Sequence, residues 1–329
     1  MKKYRLKNGR PACRTPLKEQ DGFALLISLV VIFLLVVVIL ESDFQARADL
    51  RAAGNFRDDL KAFYLVQSAV TAGKALIRDD TKNSNAYDSL DELWAFPIPD
   101  YPLGDGVING LIVDEERKIN LNKLLPPPNV SGIQNVSPGR RDQLTRLFEL
   151  LEIDPDVVDP IIDWLDADSE ALPFGAEEET YQLRDPPYAP RNGPLETLRE
   201  LHMVHGITPE IYRKITPYLT IYGSGKVNVN TADTLVLQSF DEGIDETEAR
   251  RIMEKRPFEK LQGERSFPNH IQKQLSGVYQ AMFKAGSLNW ITNRSDSFLL
   301  TAEGRVGNTR KTAHAVVERN GKFHYFRID

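Results

Sequence analysis

Residues Phe23 to Leu40 form an unbroken run of 18 uncharged, apolar residues, and no proline follows before Arg78. At about 1.5 Å per residue in a helix, such a run is just long enough to cross the hydrocarbon core of a bilayer. Beyond Leu40, Phe44, Ala48, Phe56, Leu60, Phe63, Val66, Val70 and Leu76 or Ile77 recur at three- and four-residue spacings. Asp43, Arg47, Asp49, Arg51, Arg57, Asp58, Asp59 and Lys61 take the other faces. The pattern predicts one continuous helix, membrane-spanning over 23–40 and amphipathic to about 78, weakened modestly by Gly54 and Gly73. Its apolar stripe requires a packing partner outside the membrane.

The 22 residues before this run carry Lys2, Lys3, Arg5, Lys7, Arg10, Arg14 and Lys18 against Glu19 and Asp21. By the positive-inside rule this leader stays cytoplasmic, so the rest of the chain lies across the membrane. An ordinary secretory signal is a competing reading, but its apolar region spans only about 7–15 residues. The Ala46-Arg-Ala48 step that would suit signal peptidase lies well past the apolar end. A simple signal anchor is the other alternative; the uninterrupted helical pattern argues against a cleaved signal.

The 329-residue chain has a net charge of −6. Without the leader, 34 basic and 45 acidic residues remain, a net charge of −11. That balance argues against general nucleic-acid binding, which rests on Lys and Arg neutralising phosphates. The single cysteine, Cys13, is in the leader, so the remainder has neither disulfides nor thiol chemistry.

Residues 81–106, rich in Asn, Asp, Pro and Gly, read as a long connection pinned by Trp94 and Phe96. Val107 to Leu121 reads as a hairpin around an acidic turn, Asp114-Glu115-Glu116. From Ser297 to Ile328, three alternating runs are separated by Gly307-Asn308 and Asn320-Gly321. Strands near 110 and near 310 are expected to form one antiparallel sheet against the long helix.

Between these stretches the motif Ile119-Asn-Leu-Asn122 recurs as Val227-Asn-Val-Asn230. Helix–turn–helix patterns follow each, and a third covers 194–219. Their turns read EIDPD, GITPE and GIDET. In helix-hairpin-helix units that bind DNA, helix N-termini hold phosphates; here acids stand at that position, which favours a packing module.

Residues 163–179 contain seven carboxylates: Asp163, Asp166, Asp168, Glu170, Glu177, Glu178 and Glu179. Calcium takes six to eight oxygens, and a helix-to-loop step lets alternate side chains converge. The bland reading is a solvated acidic loop; the register of an EF-hand is absent. His202 and His205 lack a third ligand and read as a pair at a helix C-terminus. Gly223-Ser-Gly-Lys226 lacks the upstream glycine of a phosphate loop and reads as a turn. No nucleophile–base pair suggests an enzyme.

Several separate stretches agree with one family. Gly22-Phe-Ala-Leu-Leu26, Asp88-Ser-Leu90 with Leu93-Trp-Ala95, Lys118-Ile-Asn-Leu-Asn122 and Asp163-Trp-Leu-Asp-Ala-Asp168 come first. Gly175-Ala-Glu-Glu178 with Tyr181, Pro187-Tyr188, Asn192-Gly-Pro-Leu195 with Glu200-Leu201, and Val227-Asn-Val-Asn-Thr-Ala232 follow in the same order. The chain resembles the K-type minor pseudopilins of bacterial type II secretion. It departs from them in its longer leader, and in Glu178, a longer ligand at the family's acidic position.

The resemblance implies an α+β fold: a pilin-like long N-terminal helix packed on an antiparallel sheet, with a large inserted all-helical domain. The expected boundaries are a cleaved leader at 1–22, a body made of 79–122 and 223–329, and an insert at 123–222. It implies prepilin peptidase cleavage between Gly22 and Phe23, N-methylation of Phe23, and Ca²⁺ held by Asp166, Asp168, Glu177 and Glu178. The implied setting is the bacterial inner membrane, single pass, with a periplasmic C-terminal domain at the pseudopilus tip. The implied partners are the I- and J-type minor pseudopilins, the major pseudopilin and the inner-membrane secretion platform, with no nucleic acid. Ile27 stands where most pilin-like subunits carry a Glu that neutralises a neighbour's buried amine. A subunit without it is poorly suited to joining beneath an existing amine, because a buried unpaired charge is costly. A membrane-anchored helix-hairpin-helix DNA-uptake protein is the alternative from another class.

Overall fold

The computed structural model describes residues 20–80, 87–126, 138–259 and 268–329. Most of the expected leader, Cys13 included, lies outside the described residues; its last three begin helix α1 (Gln20–Asp80). Two compact units divide the chain between Asp58 and Asp59. In the first, α1 is long and apolar enough to cross a membrane, and every residue from Phe23 to Leu40 is exposed.

In the second unit, the end of α1 packs on a five-stranded antiparallel sheet. Its strands are β1 (Ile98–Leu103), β2 (Gly106–Asp114), β7 (Ser297–Val306), β8 (Thr309–Glu318) and β9 (Phe323–Ile328), in that spatial order. Both Asn/Gly turns read from the sequence form hairpins, with Val306 opposite Thr309 and Glu318 N–H donating to Lys322 C=O at 2.8 Å. Strands β2 and β7 pair from Val107–Arg305 to Asp114–Phe298, joining the regions near 110 and 310 as expected. Alternation puts Phe298, Leu300 and Ala302 of β7, and Ala313, Ala315 and Val317 of β8, on the face that meets Val66, Val70 and Ile77 of α1. Full burial of each larger aliphatic contributes about 1.5–3 kcal/mol. Gly73 permits the close approach, since a Cβ there would stand 2.7 Å from Leu300 Cδ2.

Three expectations need correction. The apolar stripe of α1 is buried only from Ala62 on; Phe44, Phe56 and Leu60 are exposed. The hairpin forms one strand earlier, between β1 and β2 around Gly104-Asp105, and Asp114-Glu115-Glu116 is a buried 3₁₀ entry rather than a solvent turn. Trp94 does anchor the preceding connection, edge-on to Phe298 at 5.2 Å, but Phe96 is exposed.

The recurring Asn motifs open two similarly built halves of a helical module. Ile119-Asn120 is β3 and pairs in parallel with β4 (Leu219–Thr220); Val227-Asn228 is β5 and pairs in parallel with β6 (Ile291–Thr292). The second Asn of each motif grips a backbone that follows a proline. Asn122 accepts from Leu195 N–H and donates to Leu195 C=O, at 2.7 and 2.9 Å. Asn230 does the same with Phe258, at 2.7 and 3.1 Å. The first half holds α2 (Pro138–Leu150), α3 (Val158–Leu165), α4 (Glu178–Gln182) and α5 (Pro209–Ile215). The second holds α6 (Thr234–Gln238), α7 (Glu246–Glu254), α8 (Pro268–Gln274) and α9 (Ser276–Lys284). One continuous core runs from Ile119 to Ile291. The helical part therefore extends past the expected 222/223 boundary, because buried apolar residues between Val227 and Ile291 share one core with those of the insert.

Candidate metal centre

Helix α3 is wholly buried and delivers its acids inward. Asp163 accepts from Leu172 N–H at 3.2 Å and from Ala176 N–H at 2.8 Å. Asp159 binds Arg141 and accepts from Phe174 N–H at 3.3 Å. These two carboxylates fold the 166–177 loop back on the helix that launches it. Asp163 is therefore spent on backbone donors.

The loop then brings carboxylate oxygens of Asp166, Asp168 and Glu177 within 4.8 Å of one another. Asp166 and Glu177 are buried, while Asp168 is exposed. Asp166 Oδ1 and both Glu177 carboxylate oxygens are buried without a hydrogen-bond partner, and so is Asn192 Oδ1. Asn192 is tied to the loop by donating to the Asp168 carbonyl at 2.9 Å, and takes a left-handed backbone, φ 47°, that Asn tolerates. Burial pushes Asp166 up to about 7, helped by repulsion from Asp168, Asp163 and Glu177. Glu177 is likewise pushed up to about 7 by burial, then by Asp163 and Asp168. Orphaned, mutually repelling oxygens with no nitrogen or sulfur among them suit a hard divalent cation such as calcium.

Glu178 does not join the three. Glu177 is the last extended residue before α4 and Glu178 the first helical one, so Glu178 faces solvent. Asn192 was missed by sequence reading; its signal is the Asn-Gly-Pro turn that sets it beside the acidic loop.

The other candidates separate. His202 stacks on Tyr212 at 3.8 Å, and His205 Nδ1 meets Arg184 at 2.9 Å. In the Gly223–Lys226 turn, Ser224 N–H and Oγ donate to Glu116 at 2.8 and 3.2 Å, so a carboxylate of the chain fills it. Asp245 caps α7 through Glu248 N–H, Thr208 caps α5 through Ile211 N–H, and Asp154 accepts from Asp156 N–H. Those side chains occupy the positions a DNA phosphate needs. Asp80, Asp88 and Glu92 form a second acidic group, but Arg319 pairs with both aspartates and supplies the positive charge.

Residues 117–224 and 227–276 match the sequence families described as type II secretion system (T2SS), protein K. The type II secretion system protein K of Aeromonas hydrophila is 26% identical over 94% of this chain and 95% of its own length. That of Klebsiella pneumoniae is 25% identical over 92% and 94%. In the crystal structure of the GspK-GspI-GspJ complex from the enterotoxigenic Escherichia coli type 2 secretion system, one chain superposes with a TM-score of 0.65 at 19% identity. The match covers 85% of this chain and 99% of that one, a likeness of fold.

Proposed function

We propose, because residues 117–224 and 227–276 match the type II secretion system protein K families and relatives of that name align along most of the chain, that it is the minor pseudopilin at the tip of the secretion pseudopilus. There it initiates or caps assembly for protein export across the outer membrane. The observation that carries this is the family match over the helical module, joined to a pilin-like helix and sheet. The role is structural rather than catalytic. A helical module this large sterically limits addition of further subunits above it. Ile27, aliphatic where a carboxylate would meet a neighbour's amine, suits a first subunit.

The I- and J-type minor pseudopilins are its immediate partners, and the GspK-GspI-GspJ complex of the structural neighbour supports that choice. Asp166, Asp168 and Glu177, with Asn192, hold calcium and lock the acidic loop. Prepilin peptidase cuts between Gly22 and Phe23 at the inner membrane, and Phe23 becomes methylated. N-terminal sequencing should begin at methylated Phe23; a start at Asp49 contradicts this processing. Co-purification of the full-length chain with its I- and J-type neighbours tests the assignment. A one-to-one-to-one complex is expected, and a chain recovered without either neighbour contradicts it.

A further inference from the structure

The two edges of the five-stranded sheet are unlike. Edge strand β1 carries Pro99 and Pro102 and has an irregular register between Ile98 and Tyr101. Prolines and bulges of this kind remove donors and protect an edge from further pairing. Edge strand β9 has no proline; its register with β8 shifts between Val316 and Val317 but runs regularly from Tyr325 to Ile328, and no described strand pairs with its outer side. Phe323, His324, Phe326 and Arg327 are exposed.

Register fixes which of its groups are open. Thr312 and Asp329 exchange both backbone hydrogen bonds, at 3.1 and 2.8 Å. Antiparallel alternation then makes His314–Arg327 and Val316–Tyr325 the next bonded pairs. The N–H and C=O groups of Phe326 and Ile328 consequently point away from the sheet.

In a chain of net charge −6, this edge is bordered by cations. Lys74 Nζ lies 4.0 Å from the centroid of the Phe323 ring. The Lys74 and Arg78 side chains lie against Gly321, 3.7 and 3.9 Å from where its Cβ would be, and Lys322 follows directly. None of the three forms an ion pair among the described residues. The neighbouring acids are engaged: Glu318 by Asn320 and His324, and Asp329 by Arg327.

We propose that β9 takes up an extended, acidic segment of a neighbouring pseudopilus subunit as a sixth strand, with its carboxylates against Lys74, Arg78 and Lys322. The source of the segment rests on the protein K reading above. A basic edge discourages indiscriminate pairing and selects a strand of opposite charge. A second copy of this chain fits poorly, since β9 against β9 brings Lys322, His324 and Arg327 onto the same cations.

Amide hydrogen exchange on the full-length chain in detergent, alone and assembled with its I- and J-type neighbours, tests this. Phe326 and Ile328 amides should slow by at least about tenfold on assembly, the effect expected of direct hydrogen bonding. Phe326→Pro removes an outward N–H without touching the bonds to β8, and should weaken assembly by a similar factor. Phe326→Ala, which keeps the N–H, should weaken it less. If the proline variant misfolds, the Lys74→Glu/Lys322→Glu pair should weaken assembly and flatten its salt dependence instead. A complex with unchanged β9 exchange and unchanged affinity in these variants overturns the proposal, as does protection that appears only in a dimer of this chain. Failure of any complex to form overturns the protein K reading and this inference with it.

Discussion

Gly175 lies so close beneath Asp163 that a Cβ on it would stand 1.8 Å from Asp163 Oδ2. The same carboxylate receives the Ala176 N–H, so the glycine lets the loop close on α3. Gly175→Ala should therefore open the loop, costing about 1–3 kcal/mol. It should also separate Glu177 from Asp166. Thermal unfolding with and without calcium checks both effects: a lowered Tm and a lost calcium response.

Calcium should raise the Tm of the wild-type chain, and chelator should lower it. Binding to the folded state alone adds about 2.7 kcal/mol at a hundredfold excess over Kd. Asp166→Ala or Glu177→Ala should abolish the response, whereas Glu178→Ala should leave it intact. A wild-type Tm unchanged by calcium and by chelator would return the cluster to a solvated acidic loop, and an equal loss in Glu178→Ala would add Glu178 to the ligands.

Glu116 gives a separate dependence on pH. Burial pushes it up to about 7, although Ser224 N–H and Oγ favour its charged form. The folded state thus holds a proton that the unfolded state releases near the ordinary carboxylate pKa. The stabilising contribution is complete below that value and is lost as pH rises to about 7, at up to about 1.4 kcal/mol per pH unit for one group. Glu116→Gln, which imitates the protonated form, should reduce that fall in a urea-unfolding series between pH 4.5 and 8.

Much of the framework was legible in the chain. The 18-residue apolar run and the Asn320-Gly321 turn announced a helix long and apolar enough to cross a membrane and a hairpin, because their signals are local. The joint between sheet and module was not. Asp114, Glu115 and Glu116 read as a solvent turn because three consecutive acids usually seek water. All but one of their partners lie far along the chain: Thr231, Ser295 and Asn228 hydrogen-bond Asp114, Thr220 holds Glu115 beside the local Lys118, and Ser224 holds Glu116. At the candidate centre, the acidic composition was visible. Choosing Glu177 over Glu178 required knowing where α4 begins.

Arg319 links three parts of that joint. It pairs with Asp80 at the end of α1 and with Asp88, and donates to Ser295 C=O at 3.0 Å. Arg319→Ala leaves buried carboxylate unpaired and should cost about 3–5 kcal/mol. Denaturant unfolding should show that loss, and Asp88→Asn in the same background should recover part of it.

Immunogold labelling of this chain on assembled pseudopili tests the tip assignment most directly. Label confined to one end of each filament is the result expected of a first subunit that carries Ile27 and a bulky helical module. Label distributed along the filament would contradict it.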